Sequence, residues 1–325
     1  MANPEWGNET VLTEFILVGF WNLPELQTLL FLLFLVIYIV TVAGNILIFA
    51  LVVAKQNLHT PMYFFLGNLS CLETCYTSTI LPKVLASLLT GDRTILFSLC
   101  LTQFYLVCSL VVTEYLLLSV MSYDRYLAIC NPMHYAAHMS VRACLQLAGG
   151  SWIGGFLCSG ILTLSISQLT FCGPNIIDHF FCDFIPLVNL SCNDPHLMET
   201  LAFTLSFLFS LVPFLLIMMS YICIIATILR IPSTTGRQKA FSTCSSHLIV
   251  VSIYYATLLI VYMFPTTDIL SNFKKVLSVI YTVLTPLVNP LIYSLRNKEV
   301  QEALRKACRK FMLGPCEPVN FLGLK

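Results

Sequence analysis

Two acids stand where acids are unfavourable. Glu73 and Glu114 each interrupt an otherwise uncharged apolar stretch, Gln56 to Pro82 and Thr94 to Tyr123. A carboxyl group in such surroundings faces a protein interior and marks either a functional site or a neutral, hydrogen-bonded acid. Both readings stand for this pair, which with Asn45 and Asn289 can make a polar cluster. Asp124-Arg125-Tyr126 follows the second stretch and places a potential ion pair at its end. His179-Phe-Phe-Cys182-Asp183 carries metal-ligand types, but a disulfide at Cys182 would remove the thiolate that copper or zinc prefers. No metal and no cofactor is assigned. His-Glu-x-x-His, Gly-x-Ser-x-Gly and Gly-x-Gly-Asp do not occur in the sequence, so neither zinc-dependent nor Ser/Asp hydrolysis has a candidate site.

The elements that position these residues follow from composition. Of 325 residues 58% are hydrophobic and only 10% charged, against roughly 25% charged in a soluble domain. A soluble enzyme, a disordered chain and a nucleic-acid binder are poor fits to that balance. A helix that crosses a bilayer needs about 20 mainly apolar residues. Seven such spans are expected, at about 26–54, 62–85, 99–123, 141–165, 200–229, 240–263 and 276–295. Residues 1–25 are then a tail on one side, and 296–325 a tail on the other. Transporters commonly show an internal repeat, and no similarity between halves is evident here.

Charge sets the orientation. With the N-terminus outside, the inner segments hold thirteen basic residues against four acids, a net of +9. The outer segments hold four against ten, a net of −6, and the intramembrane acids complete the total of +1. An N-glycosylation acceptor at Asn8-Glu9-Thr10 agrees with an outer tail. Residues 1–25 lack the pattern of a cleavable signal peptide, so the first span is expected to serve as its own insertion signal.

Fourteen cysteines divide by compartment. Cys100 at the outer end of the third span and Cys172, Cys182 and Cys192 in the long outer loop lie on the oxidising side, where disulfides are the default. Four cysteines allow three pairings. Cys100 with Cys182, tying loop to span, and Cys172 with Cys192, closing the loop on itself, is the favoured set. On the inner side Cys308 and Cys316 are candidates for palmitoylation.

Local motifs narrow the class. They are Gly44-Asn45; Leu58-His-Thr-Pro-Met-Tyr-Phe-Phe-Leu66; Met121-Ser-Tyr-Asp-Arg-Tyr-Leu-Ala-Ile-Cys130; Ser220-Tyr221; Lys239-Ala-Phe-Ser-Thr-Cys-Ser-Ser-His247; and Pro286-Leu-Val-Asn-Pro-Leu-Ile-Tyr293. In this order and at these depths they make the chain resemble a vertebrate odorant receptor of the rhodopsin-like G-protein-coupled class, from about Phe15 to Lys310. The resemblance implies an all-α, seven-helix membrane bundle with a short amphipathic helix after the last span, in the plasma membrane, and no enzyme. It implies that Asp124, Arg125 and Tyr126 form a latch released on activation, with Tyr221, His247, Asn289, Pro290 and Tyr293 at the same depth. His247 is a candidate partner of Arg125 or Tyr221, and Pro290 gives the seventh helix a place to bend.

The ligand class is read from what is missing. Val107 stands where amine receptors place a counter-ion, and Val283 where opsins carry the Schiff-base lysine, so a cationic amine or retinal would lack its anchor. Helical spacing puts Val107, Cys108, Val111 and Val112 on one face of the third span. The resemblance adds Leu205, Ser206 and Phe209 on the fifth, Tyr255, Leu258, Leu259 and Tyr262 on the sixth, and Tyr281 and Thr282 on the seventh. Such a chamber suits a small neutral volatile with one polar group. Lys274 and Lys275 read as a solvated pair at the membrane edge. Inside, Val300, Leu304, Ala307 and Phe311 of residues 298–311 would face membrane lipid, beside basic residues at the headgroups. The resemblance implies a stimulatory, olfactory-type G protein as partner, docking against the second inner loop, Cys130 to Ser140, and a rise in cyclic AMP. No nucleic-acid partner is expected.

Overall fold

Where no water is at hand, a backbone must satisfy its own hydrogen bonds, and long uncharged stretches become long helices. The computed structural model describes residues 13–20, 24–171, 174–192, 194–230, 232–263 and 268–289. Its helices are α1 (Gln27–Ala54), α2 (Pro61–Thr90), α3 (Phe97–Cys130), α4 (Pro132–His138), α5 (Val141–Ser167), α6 (Phe184–Asn189), α7 (Pro195–Ser206), α8 (Val212–Leu229), α9 (Thr234–Met263) and α10 (Asp268–Val279). A π-helical segment, Phe207–Leu211, joins α7 to α8, and a second, Ile280–Leu284, extends α10 to residue 289. Among the described residues the long rods are therefore seven: α1, α2, α3, α5, α7 with α8, α9, and α10 with its extension. Gln27–Ala54, Phe97–Cys130, Val141–Ser167 and Thr200–Leu229 are long and apolar enough to cross a membrane by composition alone. The burial pattern fits a lipid solvent: Leu29, Val36, Ile39 and Val53 of α1 are exposed, while Thr41 and Asn45 face inward and are buried.

Sequence signals at the helix ends explain where the rods start and stop. Pro61 begins α2, where its missing N–H costs nothing. Gly91 ends the same helix at φ +77°, a left-handed cap that a side chain resists. The Ser140 hydroxyl caps α5 by accepting from the Ala143 N–H at 3.3 Å. The two π segments also have a cause. Pro213 and Pro286 each lack an N–H, and each ring would meet the carbonyl four residues back. The preceding turn widens instead, so that Val212 N–H bonds Phe207 O and Thr285 N–H bonds Ile280 O.

Around these rods, α3 contacts α2, α5, α8 and α9. Its closest approach is to α5 at Gly155, where a Cβ would overlap the Thr113 hydroxyl and the Ser109 carbonyl. At Gly149 on the same helix a Cβ would meet nothing within 4 Å.

One end of the bundle is roofed by a small sheet. Strand β1 (Glu14–Leu17) pairs antiparallel with β2 (Thr94–Leu96) and parallel with β3 (Ile176–Ile177). Phe15 of β1 is fully buried, with Phe97 and Phe171 at 5.8 and 5.7 Å. The loop that supplies β3 is pinned at several points. Cys182 forms a disulfide with Cys100 of α3, their Cα atoms 5.6 Å apart. Buried Gln103, one turn along α3, accepts from the Cys182 N–H at 3.0 Å and donates to the Thr79 carbonyl of α2 at 3.1 Å. Asp178 pairs with Lys275 at 2.5 Å, and His179 Nε2 lies 3.3 Å from the Ser278 hydroxyl. Lys274 and Lys275, expected to be solvated, are each 8% exposed, because the loop folds back over the second half of α10. Cys192 is also disulfide-bonded, and Cys172, its expected partner, lies outside the described residues. So do Asn8, Pro290, Tyr293 and the expected amphipathic tail helix.

Two outcomes follow from this packing. Gly155→Ala should lower the melting temperature of the purified receptor through an overpacking cost of about 1–3 kcal/mol, whereas Gly149→Ala should leave it unchanged or slightly raised. A thermal-shift series in detergent reads both. The second concerns His179, which burial, helped by the nearby Lys275 charge, pushes from its ordinary 6.5 down to about 3. Below about 6.5 the unfolded chain binds a proton that the folded loop refuses, so the stability this residue confers is complete above that pH and falls away toward about 3. Melting curves of wild type and His179→Gln across that window should converge as pH falls.

Candidate functional site

Beneath the roof lies a cavity of about 320 Å³. One wall is a single face of α3, built from Phe104, Val107, Cys108, Val111, Val112 and Tyr115 at helical spacing. The rod opposite contributes Leu205 and Ser206 from α7, and Phe209 and Ser210 from the π segment. Tyr255 and Leu258 come from α9 and Tyr281 from the second π segment, so both widened turns deliver side chains to the same space. Thr282 is buried but bonds the Ser278 carbonyl at 2.6 Å and does not line the cavity. The side chains of Leu259 and Tyr262 lie outside the described set.

Other parts of the wall were not read from the sequence. Asp183, Phe184 and Ile185 form part of it from the loop, and Cys158 and Leu162 from α5. Their place depends on how the loop is tied down and on the tilt of α5, neither of which has a local signature. One signal was available: Asp183 directly follows Cys182, so a disulfide to the top of α3 must bring it near that helix. Its Oδ1 caps α6, accepting from the Phe184 N–H at 2.8 Å. The Tyr255 hydroxyl, 3% exposed as a residue, finds no hydrogen-bond partner among the described residues. A larger cleft of about 450 Å³ between α2 and α3 is lined in part by exposed Leu96 and Leu99 and opens outward.

Deeper in the bundle the polar residues meet. Asn289 donates to Glu73 Oε1, and Asn45 Nδ2 donates to the carbonyls of Thr41 and Pro286 at 3.1 and 3.2 Å. Glu114 is 1% exposed and hydrogen-bonds Tyr254, whose hydroxyl also lies 3.4 Å from the Val111 carbonyl under the cavity. Both carboxyl groups are enclosed, so each must be neutral or matched by positive charge.

At the far end, the expected ion pair between Asp124 and Arg125 is absent among the described residues. Adjacent positions on a helix point in different directions. Asp124 instead accepts from the Tyr135 hydroxyl of α4 at 2.8 Å, and Arg125 donates to Met62 Sδ on α2. Tyr126 is half-buried and stacks on Tyr123 with centroids 6.4 Å apart. Of the two partners open to His247, the structure gives Tyr221: the Tyr221 hydroxyl lies 2.6 Å from His247 Nδ1, with both residues buried. That contact ties α8 to α9. The described residues thus assemble a cavity above a buried polar core.

Comparison with known proteins agrees. The profile of the family described as "Olfactory receptor" matches residues 34–310. Olfactory receptor 5M5 of Mus musculus is 47% identical over 94% of this chain and 96% of its own length. Olfactory receptor 6B1 of Homo sapiens is 49% identical over 93% and 96%, and olfactory receptor 6F1 of Homo sapiens 50% identical over 92% and 97%. A multi-pass membrane protein with no enzymatic activity, the chain belongs to the olfactory receptor family.

Proposed function

We propose that this odorant receptor binds a small, neutral volatile in the cavity beneath the roof and activates a stimulatory, olfactory-type G protein that raises cyclic AMP. The observation that carries the ligand class is the cavity's chemistry. Its volume lies at the small end of the range for ligand sites, roughly 300–1,000 Å³. Its wall is mostly hydrocarbon, with the hydroxyl-bearing residues Ser206, Ser210, Tyr255 and Tyr281 among its lining. A ligand with one acceptor, such as an aldehyde, ketone or ester, suits a wall of that kind. Carboxylate recognition has less support, because Lys275 is already paired with Asp178. Apolar burial at about 25 cal/mol per Å² gives so small a ligand only a few kcal/mol after binding costs, so micromolar potency is expected.

The orientation that the basic residues favour puts the N-terminus and the sheet roof outside, at the plasma membrane, and α4 in the cytoplasm. The G protein then docks against α4 and the adjoining end of α9, where Met133 is 90% exposed. An odorant acts by favouring the state in which the Tyr221–His247 contact between α8 and α9 has rearranged, and only through its differential affinity for that state.

Cells expressing the receptor with the olfactory G protein should give a dose-dependent rise in cyclic AMP to members of a neutral odorant panel, with half-maximal responses in the micromolar range. Arg125→Ala should abolish the response at equal surface expression. Silence across the panel with the receptor verified at the surface would contradict the ligand class.

A further inference from the structure

We propose that His134 and His138 form a binding site for a divalent transition-metal ion at the end of the bundle opposite the sheet roof, with Zn²⁺ as the physiological ion. The two residues stand at i and i+4 of α4, on one face of the helix, with ring centroids 6.4 Å apart. Both are exposed. Their spacing is that of paired histidine ligands on a helix, the relation that His-Glu-x-x-His sites use.

What raises the pair above a chance spacing is the second hydrogen bond that each ring makes. His138 Nδ1 lies 3.0 Å from the His134 carbonyl oxygen. A carbonyl only accepts, so the proton is on Nδ1 and the lone pair on Nε2. His134 Nδ1 lies 2.9 Å from Asn131 Oδ1, an oxygen that accepts from the same tautomer. A metal-binding imidazole needs this state: one ring nitrogen donates to an oxygen while the other presents its lone pair.

The helix beneath them is also held. Pro132 starts α4, Tyr135 bonds Asp124 of α3, and buried Met139 anchors its far end. A tetrahedral ion at about 2.1 Å from each Nε2 places the ring centroids about 5 Å apart. A swing of two exposed side chains closes that gap without moving the backbone. Neutral imidazole selects Zn²⁺, Cu²⁺ or Ni²⁺ over Mg²⁺ or Ca²⁺. No third His, Cys, Asp or Glu joins them among the described residues. Water therefore completes the coordination, and the ion exchanges rather than serving as a structural clamp.

The site's consequence rests on the docking surface proposed above, since Met133 lies beside His134 on the same short helix. An ion there would hold α4 and obstruct the G protein. The existence of the site does not depend on that reading.

Full-length receptor without a polyhistidine tag, in detergent, titrated with Cu²⁺ as probe, tests it by electron paramagnetic resonance. The first equivalent should show coupling to two imidazole nitrogens, and Zn²⁺ in large excess, but not Mg²⁺ at the same excess, should displace it. His134→Ala and His138→Ala should each remove the two-nitrogen signature and weaken binding by about tenfold or more, while His59→Ala leaves it intact. These exposed positions carry no core packing, so loss of the fold is not expected, and melting curves of the variants check that. A two-nitrogen signature that survives either substitution, or a wild-type spectrum with a single nitrogen, would overturn the proposal. Zn²⁺ should also slow receptor-driven nucleotide exchange on the G protein in wild type and not in His138→Ala. Binding without that effect would overturn the docking reading and leave the metal site standing.

Discussion

Cys182 is held to α3 twice, by a disulfide to Cys100 and by its N–H on the Gln103 side chain, which also grips α2. Without that anchor the long loop has no reason to lie across the bundle. The residues that follow Cys182 are those that wall the cavity from above, and those that precede it supply β3, the Asp178–Lys275 pair and buried His179. A covalent tie across 82 residues of sequence thus fixes a roof that hydrophobic packing alone would leave free to move. The N-terminal strand then completes the sheet and buries Phe15 over the join.

The same helix carries the consequence downward. Along α3 one passes from Cys100 and Gln103 at the roof, through Val107 to Tyr115 at the cavity, to Glu114 in the polar core and Asp124 and Arg125 at the far end. The partners of α3 in the activation reading are the rods that are locally irregular. Each π segment lies four residues ahead of a proline and aims side chains into the cavity, Phe209 and Ser210 from one and Tyr281 from the other. A widened turn has fewer well-aligned hydrogen bonds than the helix on either side, so it is where a rod changes shape at least cost. These turns stand beside the cavity, and the Tyr221–His247 contact lies further along α8.

Much of this was legible in the sequence because it follows from solvent physics. A chain with 10% charged residues must find an apolar solvent, and its uncharged stretches become the seven rods. The motif set carried the family for a different reason: it fixes polar residues at depths where they are unfavourable unless used. What escaped is what depends on tertiary closure. The three short strands have no alternation long enough to read, and β3 is two residues. The π segments were signalled by Pro213 and Pro286, whose missing N–H groups were not followed four residues back. Lys274 and Lys275 read as solvated because a loop that folds back over them leaves no trace in their neighbours. Asp124 and Arg125 read as a pair from their adjacency, but their side chains leave the helix in different directions and meet partners on α4 and α2 instead.

The central claim is that the cavity beneath the roof is where the odorant binds. Dose–response curves for one identified agonist, taken on Val111→Phe and Cys158→Phe beside Leu157→Phe, test it most directly. Val111 and Cys158 line the cavity, whereas Leu157 is 64% exposed and faces away from the bundle. The account predicts that the first two lose potency by tenfold or more at normal surface expression, because an added ring fills the space the ligand needs, while the third responds as wild type. Equal potency in all three would contradict it and place the ligand elsewhere on the receptor.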